Sequence, residues 1–490
     1  MQNKPAVIPE LLLTAEKEKP CLIEGKITLT YGELDNLSSG CANLLVSRGA
    51  QRGDRVVLFL PNCWQFVVAM YGAIKLGAIC VPLDYRSTEK EVQVFLKDSD
   101  PRVSVVSVEK SNYFKGDKIE VDPDASLEQT AGKFETCMPE PSDPALILYT
   151  GGTTGSPKGV VLTHSNVIHV LSSLSKAWSL RKGEEVFAQF LPMTHSGGLN
   201  CNLNSSLFNG GTTVIMCRFD SSDLLRLVER HKVTSFAGVP TVYKSLVRAL
   251  DTDTVDTSSL RLCFSSGAAL SPETAESFRR KTGLTINVGW GLTEASPQLA
   301  VAPLGAYKQN YAGLPIEGTN VMAFDESGKP LPAGETGELG AKGPQVMSGY
   351  FRNEIETQKV FTSDGWLLTG DLGYVGEDGI YIMGRKKEAI NTGGYKVWPS
   401  EIEAVLLENE HVLEAAVVGV DDEYYGETVK AFVVPKSQIS EEELALFCRG
   451  RLSSYKVPRR FEFRTFLPKS SVGKILKRSL LQDSGLEPSK

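Results

Sequence analysis

The sequence lacks the features that define several large classes of protein. Its nine cysteines lie far apart, and no pair has the Cys-x2-Cys spacing of a zinc or redox site. Scattered thiols are typical of reduced proteins in the cytoplasm. The apolar stretch at residues 64–79 is too short for a membrane span and includes Lys75. Residues 1–20 mix Lys and Glu with apolar residues, unlike a secretory signal. We therefore expect a cytoplasmic protein without a transmembrane segment.

An excess of basic charge is also missing. The chain has 52 Lys and Arg against 59 Asp and Glu, a formal net charge of −7. This balance argues against a nucleic acid as partner. The content of 41% hydrophobic and 23% charged residues is that of an ordinary globular enzyme. A chain of 490 residues is long enough for more than one domain.

Two common nucleotide-binding motifs are absent. The Walker A motif ends in Gly-Lys-Ser/Thr, but each Gly-Lys pair of this chain is followed by Ile, Phe or Pro. The dinucleotide motif needs a third glycine, and the nearest match, which begins at Gly289, has Glu294 in that place.

The chain has instead a run of glycines, hydroxyls and one lysine at residues 148–159, with the sequence LYTGGTTGSPKG. Glycine permits a close approach of the backbone to a ligand. Successive N–H groups and hydroxyls form a concave anion site, to which Lys158 adds a positive charge. The run predicts a polyphosphate site; the alternative is a flexible surface loop.

Hydrophobic patterns predict an α/β fold with parallel sheets covered by helices. Strands are predicted at 55–60, 103–108 and 145–149, and a helix at 63–76. The motif at 163–166 predicts an N-cap and a helix to residue 178. The glycine loop would thus stand between a strand and a helix, the usual place for a phosphate site.

Two changes in residue composition and hydrophobic pattern along the chain predict the domain organisation. From about Gly313, short alternating strands rich in glycine and proline indicate a small β subdomain. After residues 384–387 comes an α+β segment long enough to fold as a domain. We predict a large N-terminal domain at 1–386, made of parallel α/β subdomains plus the β subdomain, and a small mobile C-terminal domain at 387–490. The alternative is one continuous domain.

Several further residues carry chemistry that fits a nucleotide. Trp290 can stack on a base, or can be a buried residue of a core strand. Glu294 can hold Mg²⁺. Asp371 can accept from ribose hydroxyls, or can belong to an ordinary Asx-turn. Arg385 can contact phosphate or ribose, or form a plain salt bridge. Lys474 lies in a basic segment that could be a solvated tail.

Together these segments resemble the adenylate-forming superfamily, which includes acyl-CoA synthetases, firefly luciferase and the adenylation domains of peptide synthetases. The motifs occur in the family's order and approximate spacing over nearly the whole chain. They stand at residues 29–34, 149–159, 290–294, 369–371, 384–403 and 468–474. One such motif is moderate evidence, but the full series is highly specific.

The resemblance implies an ATP site whose parts are far apart in the chain. The residues that would hold the β- and γ-phosphates are Thr150, Thr153, Thr154 and Lys158. Those that would hold adenine and ribose are Gly267, Ala268, Ala269, Trp290, Gly291, Asp371 and Arg385. The family usually has tyrosine where this chain has tryptophan. Glu294 would bind Mg²⁺, and Thr293 would lie near the α-phosphate. The expected catalytic residues are His195, Thr293, Glu294 and Lys474.

The resemblance also implies a rotation of the small domain between two half-reactions. Lys387 matches the hinge. The rotation would withdraw Lys474 and bring the pantetheine contacts Gly393, Gly394 and Lys396 to the site. Two glycines leave room for a narrow phosphopantetheine arm. The basic residues proposed for the CoA phosphates are Lys456, Arg459 and Arg460, which could equally form a solvated surface.

The segment around His195 resembles the part of the family that flanks the acid. No Asp, Arg or Lys occurs at 191–211, which disfavours an α-amino acid and a dicarboxylate and favours a fatty or aryl acid. Ser196, Asn200 and Asn204 have the i, i+4, i+8 spacing of one helix face. That face would contact a polar group on the acid, or would be a solvated outer face.

The sequence thus predicts an acid–thiol ligase that uses ATP, Mg²⁺ and CoA. Two alternatives stay open: an adenylation enzyme that loads the phosphopantetheine of a carrier protein, and a nucleotide-binding regulator without catalysis. A luciferase-like oxygenation has less support. The sequence leaves the acid and the oligomeric state open, and a homodimer is compatible with it.

Overall fold

The computed structural model describes residues 4–124, 132–134, 138–150, 157–393, 395–470 and 473–484. The α-helices in these ranges are α1 (Tyr31–Ser47), α2 (Trp64–Lys75), α3 (Glu89–Ser99), α4 (His164–Ala177), α5 (Ser205–Phe208), α6 (Ser221–His231), α7 (Pro240–Thr252), α8 (Pro272–Thr282), α9 (Glu354–Val360), α10 (Pro399–Leu407), α11 (Glu441–Arg449) and α12 (Lys477–Asp483). Short 3-10 helices are Ile8–Leu13, Val108–Tyr113, Thr293–Ala295, Lys386–Glu388 and Ser454–Lys456, and Gly197–Asn204 is a π-helix.

The strands in the same ranges belong to three sheets. They are β1 (Pro20–Glu24), β2 (Ile27–Thr30), β3 (Arg55–Phe59), β4 (Ile79–Pro82), β5 (Val103–Ser107), β6 (Lys118–Val121), β7 (Pro144–Thr150), β8 (Lys158–Thr163), β9 (Val186–Gln189), β10 (Thr212–Ile215), β11 (Ser235–Gly238), β12 (Leu262–Ser265), β13 (Asn287–Trp290), β14 (Ala300–Val301), β15 (Tyr311–Pro315), β16 (Asn320–Phe324), β17 (Gly337–Lys342), β18 (Gly349–Tyr350), β19 (Leu367–Gly376), β20 (Gly379–Arg385), β21 (Ile390–Thr392), β22 (Tyr395–Val397), β23 (Val412–Asp422), β24 (Gly426–Pro435) and β25 (Arg460–Phe463).

The first sheet has the strand order β18-β8-β7-β4-β3-β5-β6. From β7 to β6 all neighbours run parallel. Parallel strands are covered on both faces, which is why β3 and β5 are buried along almost their whole length. Helix α2 is apolar around most of its circumference and is buried along its whole length. The predicted strands and the predicted helix of this region are confirmed.

The second sheet has the order β16-β17-β19-β20-β15-β14-β13-β12-β11-β9-β10-β1-β2. Its strands β1, β10, β9, β11, β12 and β13 are parallel to their neighbours in that series. From β14 to β16 the pairs along the sheet are antiparallel, and this part is the predicted β subdomain. The carboxyl ends of β11, β12 and β13 face one edge, where open α/β sheets usually bind ligands.

A third sheet forms the small domain, with the order β22-β21-β24-β23 and β25 beside β24. Helices α10 and α11 pack on it through the buried Ile402, Leu406 and Leu444. The 3-10 helix Lys386–Glu388 joins this unit to β20. The domain boundary at Lys387 stays a prediction.

The predicted entry from the glycine loop into a helix is wrong. Residues Lys158–Thr163 form β8, which pairs antiparallel with β7, and α4 begins only at His164. The reason is that Val160 and Leu162 are fully buried against β7. Strands β7 and β8 therefore form an antiparallel β-hairpin. The predicted N-cap at Thr163 is confirmed, since its hydroxyl accepts from the Asn166 amide at 3.2 Å.

Among the helices in the described ranges, none combines the length and the apolar character that crossing a bilayer requires.

Candidate functional site

The ends of the glycine loop are held by β7 and β8. Thr150 is the register partner of Lys158 across the ladder, so both predicted phosphate contacts lie at the end of the β7–β8 pair where residues 151–156 connect the two strands. Thr153 and Thr154, at 151–156, lie outside the described residues. The hairpin thus fixes two of the four predicted phosphate ligands side by side.

Lys158 already has an anionic partner. Its Nζ forms an ion pair with Glu356 Oε2 on α9 and lies 5.1 Å from the centre of the Tyr350 ring. Glu356 also accepts from Lys359 Nζ at 2.6 Å. Hydrogen bonds from these two ammonium groups lower the pKa of Glu356 to about 2. A carboxylate therefore stands where we expect Lys158 to meet a phosphate.

Glu294 is oriented by the same tyrosine. The Tyr350 hydroxyl donates to Glu294 Oε1 at 2.8 Å. Burial, and then the Glu294 carboxylate, raises the pKa of Tyr350 well above its ordinary value, so the hydroxyl keeps its proton. Thr293 precedes Glu294 in the 3-10 helix Thr293–Ala295, and its hydroxyl lies 3.4 Å from Ser196 Oγ.

Asp371 lies at the centre of the predicted ribose site. It is 4% exposed and belongs to β19, opposite Arg385 on β20. Its Oδ1 lies 2.6 Å from Arg385 Nε, and its Oδ2 accepts from Trp290 Nε1 at 2.7 Å. Burial raises the pKa of Asp371, while Arg385 and the indole N–H act in the opposite direction. The Asx-turn alternative is wrong, because Asp371 lies within a strand.

Trp290 ends β13 and is 7% exposed, in a cluster with Ala295 and Leu299. The alternative of a buried core residue thus describes its environment, and its role at adenine stays a prediction. A Cβ at Gly291 would lie 1.8 Å from the Pro297 carbonyl oxygen, so only glycine fits where the chain turns away from Trp290.

Lys474 reaches the large domain, as predicted. A Cβ at Gly267 would lie 3.2 Å from Lys474 Cε, so the lysine chain passes directly over this glycine. The adjacent Ala268 and Ala269 are exposed. Desolvation and the nearby Arg385 guanidinium lower the pKa of Lys474, and the Asp371 carboxylate opposes this effect.

The predicted pantetheine contacts lie elsewhere in this arrangement. Lys396 forms an ion pair with Glu326, which follows β16 in the large domain. Gly393 has φ +57° and donates its amide to the Tyr425 carbonyl at 2.9 Å. Gly394 lies outside the described residues. The structure therefore brings Lys474, and not Lys396, to the predicted ATP site.

His195 lies close to a carboxylate that the sequence analysis missed. Its Nε2 is 3.7 Å from Asp84 Oδ2, which comes from the loop after β4. Asp84 also accepts from Arg86 Nε at 3.1 Å. Although the segment 191–211 lacks acidic residues, the fold supplies one from another part of the chain.

The helical face of Ser196, Asn200 and Asn204 is not a solvated outer face, since these residues are at most 5% exposed. Asn200 Nδ2 donates to the Ser296 carbonyl at 3.0 Å, and Asn204 Nδ2 donates to Asn200 Oδ1 at 2.8 Å. Tyr71 donates to Asn204 Oδ1 at 3.2 Å. The two amides thus join the π-helix Gly197–Asn204 to the segment after Glu294.

Sequence reasoning missed Tyr350 and Glu356. Both lie almost two hundred residues after Lys158. Their segment has no glycine-rich motif that would mark it as part of a phosphate site. The available signal was Gly349-Tyr350 just before a helix whose N-cap is Asn353. Strand β18 pairs with β8, and this pairing brings Tyr350 to Lys158.

Two family models match the chain. One, described as AMP-binding enzyme, covers residues 13–351, and the other, described as AMP-binding enzyme C-terminal domain, covers residues 401–474. The chain is 36% identical over 507 aligned positions to a long-chain-fatty-acid–CoA ligase from Bacillus subtilis (strain 168), covering 93% of this chain and 90% of the relative. It is 34% identical over 465 positions to a feruloyl-CoA synthase from Amycolatopsis, covering 92% and 93%.

Among solved structures, ATP-bound MatB from Rhodopseudomonas palustris has a TM-score of 0.91 and 30% identity to this chain, with 98% of each chain covered. The apo form of MatB, with the same coverage and identity, has a TM-score of 0.81. The structure thus resembles the nucleotide-bound form more closely than the apo form.

Proposed function

The chain belongs to the AMP-binding enzyme family and is an acid–CoA ligase, and we propose that it uses ATP to join a fatty or aryl acid to CoA in two steps. In the first step, an acid oxygen attacks the α-phosphorus of ATP and pyrophosphate leaves. In the second, the CoA sulfur attacks the acyl carbon of the adenylate, the thiol loses its proton, and AMP leaves. The observation that best supports this proposal is the position of Lys474 over Gly267, beside the Asp371–Arg385 pair.

The residues of the site act mainly by placement and charge. Thr150 and Lys158 hold the outer phosphates, and Asp371 accepts from the ribose. Lys474 stabilises the negative charge that develops on the α-phosphoryl group and on the leaving pyrophosphate. Such steps need little covalent help from the protein, because aligned reactants and nearby cations provide most of the acceleration.

The donor set fits Mg²⁺. Mg²⁺ is usually held by one or two carboxylates together with waters and substrate phosphates. Glu294 offers one carboxylate whose orientation is fixed by Tyr350. When bound, the metal ion would neutralise phosphate charge. We propose Glu294 as its protein ligand, with Thr293 beside the α-phosphate.

The two steps use two arrangements of the small domain, which turns at Lys387. Lys474 serves the first arrangement, and Gly393, Gly394 and Lys396 serve the second. Support comes from the higher TM-score to ATP-bound MatB than to apo MatB. Further support comes from Lys396, whose ion pair with Glu326 keeps it outside the ATP site while Lys474 is inside.

A basic and aromatic surface of the small domain is proposed for the CoA phosphates. The Arg459 guanidinium stacks 3.8 Å above the Tyr425 ring, and Arg460 begins the adjacent strand β25. Lys456 is tied to Glu401 at 2.7 Å, so we assign it a smaller share of the phosphate contacts. Tyr425 also accepts from Gly393, which connects this surface to the pantetheine glycines.

We propose a long-chain fatty acid as the first choice of substrate and an aryl acid as the second. The names of the curated relatives support this order. The segment 191–211, which contains no Asp, Glu, Lys or Arg, suits an uncharged tail. His195 is proposed to flank the acid, with Asp84 beside it.

The test is a ligase assay with the purified full chain, ATP, Mg²⁺ and CoA. The acids are palmitate, oleate, benzoate and ferulate, with malonate and alanine as charged controls. The acyl-CoA product is detected by mass spectrometry, and the release of AMP is measured in the same reactions. We expect turnover with the fatty acids, weaker turnover with aryl acids, and none with the controls.

Each alternative function has a distinct outcome in this assay. Acid-dependent ATP–pyrophosphate exchange without acyl-CoA would support loading of a carrier protein. Nucleotide binding without exchange for any acid would support a non-catalytic regulator. Turnover of malonate above that of palmitate would contradict the proposed substrate class.

A further inference from the structure

Tyr350 lies between the two groups that would meet the triphosphate. Its hydroxyl donates to Glu294 Oε1 at 2.8 Å, and the centre of its ring lies 5.1 Å from Lys158 Nζ. The side chain is 9% exposed. One residue therefore contacts both the proposed Mg²⁺ ligand and the proposed phosphate ligand.

The backbone around Tyr350 is held firmly. Tyr350 pairs with Val160 on β8, and its amide donates to Thr357 Oγ1 at 2.9 Å. Gly349 has φ +146°, and a Cβ there would lie 3.0 Å from Thr357 Cγ2, so glycine allows α9 to approach. A ring anchored in this way has a fixed position relative to the hairpin that carries Lys158.

Each contact has a separate physical consequence. A hydrogen bond to an ionised carboxylate is about twice as strong as a neutral one, and it leaves the other oxygen of Glu294 free to turn toward a cation. A lysine over an aromatic face is attracted to the ring, which limits the directions in which its ammonium can point. Glu356 neutralises that ammonium until a phosphate arrives.

We propose that Tyr350 is a positioning residue that aligns Glu294 with Mg²⁺ and Lys158 with the phosphates, so that metal and lysine act on one triphosphate. This inference rests on the proposed ATP site. The alternative is that Tyr350 only fills the core cluster of which it is a part.

The test uses Tyr350→Phe and Tyr350→Leu and measures nucleotide binding by calorimetry without any acid, so that no turnover occurs. MgATP is compared with ATP in excess EDTA. Tyr350→Phe removes only the hydroxyl, and we expect MgATP to bind roughly five- to tenfold more weakly while metal-free ATP changes less than twofold. Tyr350→Leu also removes the ring, so both forms of ATP should bind more weakly.

Two controls separate positioning from packing. Tyr31→Phe removes a comparable buried hydroxyl, which donates to the Gly211 carbonyl at 2.8 Å, and should leave both affinities unchanged. If Tyr350 acts through Glu294, adding Tyr350→Phe to Glu294→Gln should cause little further loss of MgATP binding.

Equal weakening of MgATP and metal-free ATP by Tyr350→Phe would overturn the inference, as would full additivity with Glu294→Gln. Wild-type binding that is indifferent to Mg²⁺ would overturn it as well, even if the ligase assay succeeds. Failure of the ligase assay with intact, metal-dependent ATP binding would instead contradict the proposed function alone. If Tyr350→Phe does not fold, Glu294→Gln and Glu294→Asp still test whether Glu294 mediates the effect of Mg²⁺ on ATP binding. A dependence on Mg²⁺ as strong as that of the wild type in both variants would overturn the inference.

Discussion

At the scale of single residues, the proposed site depends on charges that are already paired. Asp371 forms an ion pair with Arg385 and accepts a hydrogen bond from Trp290, and Lys158 forms an ion pair with Glu356. A buried carboxylate without partners would be costly, so these contacts offset part of the cost of burying Asp371 and hold the side chains in place. A substrate enters by adding to, or replacing, existing contacts.

Lys474→Ala should slow formation of the acyl-adenylate by about 10²–10³-fold, because it removes a cation aimed at developing charge. Thioester formation from supplied acyl-adenylate should be largely retained. The two steps are measured separately in single-turnover experiments. Lys469→Ala is the matched control, since Lys469 pairs with Glu414 in the small domain. Equal loss of both steps would contradict the two-arrangement account.

Trp290→Phe should reduce discrimination between ATP and 2′-deoxy-ATP by about three- to tenfold, because it removes the N–H that orients Asp371. Loss of stacking on adenine would affect both nucleotides alike, so the ratio of their kcat/KM values isolates the ribose effect. Phenylalanine keeps an aromatic ring at this position. An unchanged ratio would show that the indole N–H does not position Asp371.

At the scale of elements, buried polar contacts join segments distant in sequence. The 3-10 helix Ile8–Leu13 is fastened to α4 by the Ile8 amide, which donates to His164 Nδ1 at 3.1 Å. Asn200 and Asn204 fasten the π-helix in the same way. The sequence analysis assigned the two asparagines to substrate or solvent, but they stabilise the packing of one element on another.

His164 should make stability fall with acid. Burial lowers its pKa from 6.5 to about 4 in the folded chain. Between these values the unfolded chain binds a proton that the folded chain excludes, so the free energy of unfolding decreases as the pH falls. The loss from pH 7.5 to pH 5 is about 2 kcal/mol. Urea unfolding at both values measures it.

The control for this prediction is His164→Asn, whose Oδ1 can accept from the Ile8 amide but does not titrate. The variant should show a smaller loss of unfolding free energy between the two pH values than the wild type. Equal losses in the two proteins would assign the acid sensitivity to other groups.

At the scale of the whole molecule, contacts between the large and small domains fix the observed arrangement. Lys244 on α7 donates to the Leu413 carbonyl, and Lys436 lies 3.9 Å from Glu273. The Lys396–Glu326 pair is highly exposed and contributes little. Lys244 is less exposed, and desolvation lowers its pKa. Its contact with Leu413 is therefore the stronger candidate for a domain latch, meaning a contact that stabilises this arrangement of the two domains.

Lys244→Met should disfavour the arrangement that forms the adenylate. Losing about 1 kcal/mol of contact energy shifts the ratio of the two arrangements roughly fivefold. Adenylate formation should slow by up to that factor, while thioester formation from supplied adenylate should not slow. Lys281→Met is the control, because its partner Asp251 belongs to the large domain. A slower second step would exclude a latch role.

The sequence by itself determined the reaction class, the α/β fold and most element positions. Glycine runs and hydrophobic periods are local properties, and the order of the motifs can be read directly along the chain. It also predicted roles for Lys158, Glu294, Asp371 and Lys474 from the chemistry of their side chains and the motifs in which they lie. It did not predict β8, whose pairing with β7 places a strand between the glycine loop and the helix that begins at His164.

Only the tertiary structure decided which distant side chains meet. Tyr350 reaches Glu294 through the pairing of β18 with β8, and Trp290 reaches Asp371 across the β subdomain. Asp84 reaches His195 from the other sheet. Such contacts depend on strand order and domain placement, and a linear sequence carries no distance between residues that lie hundreds of positions apart.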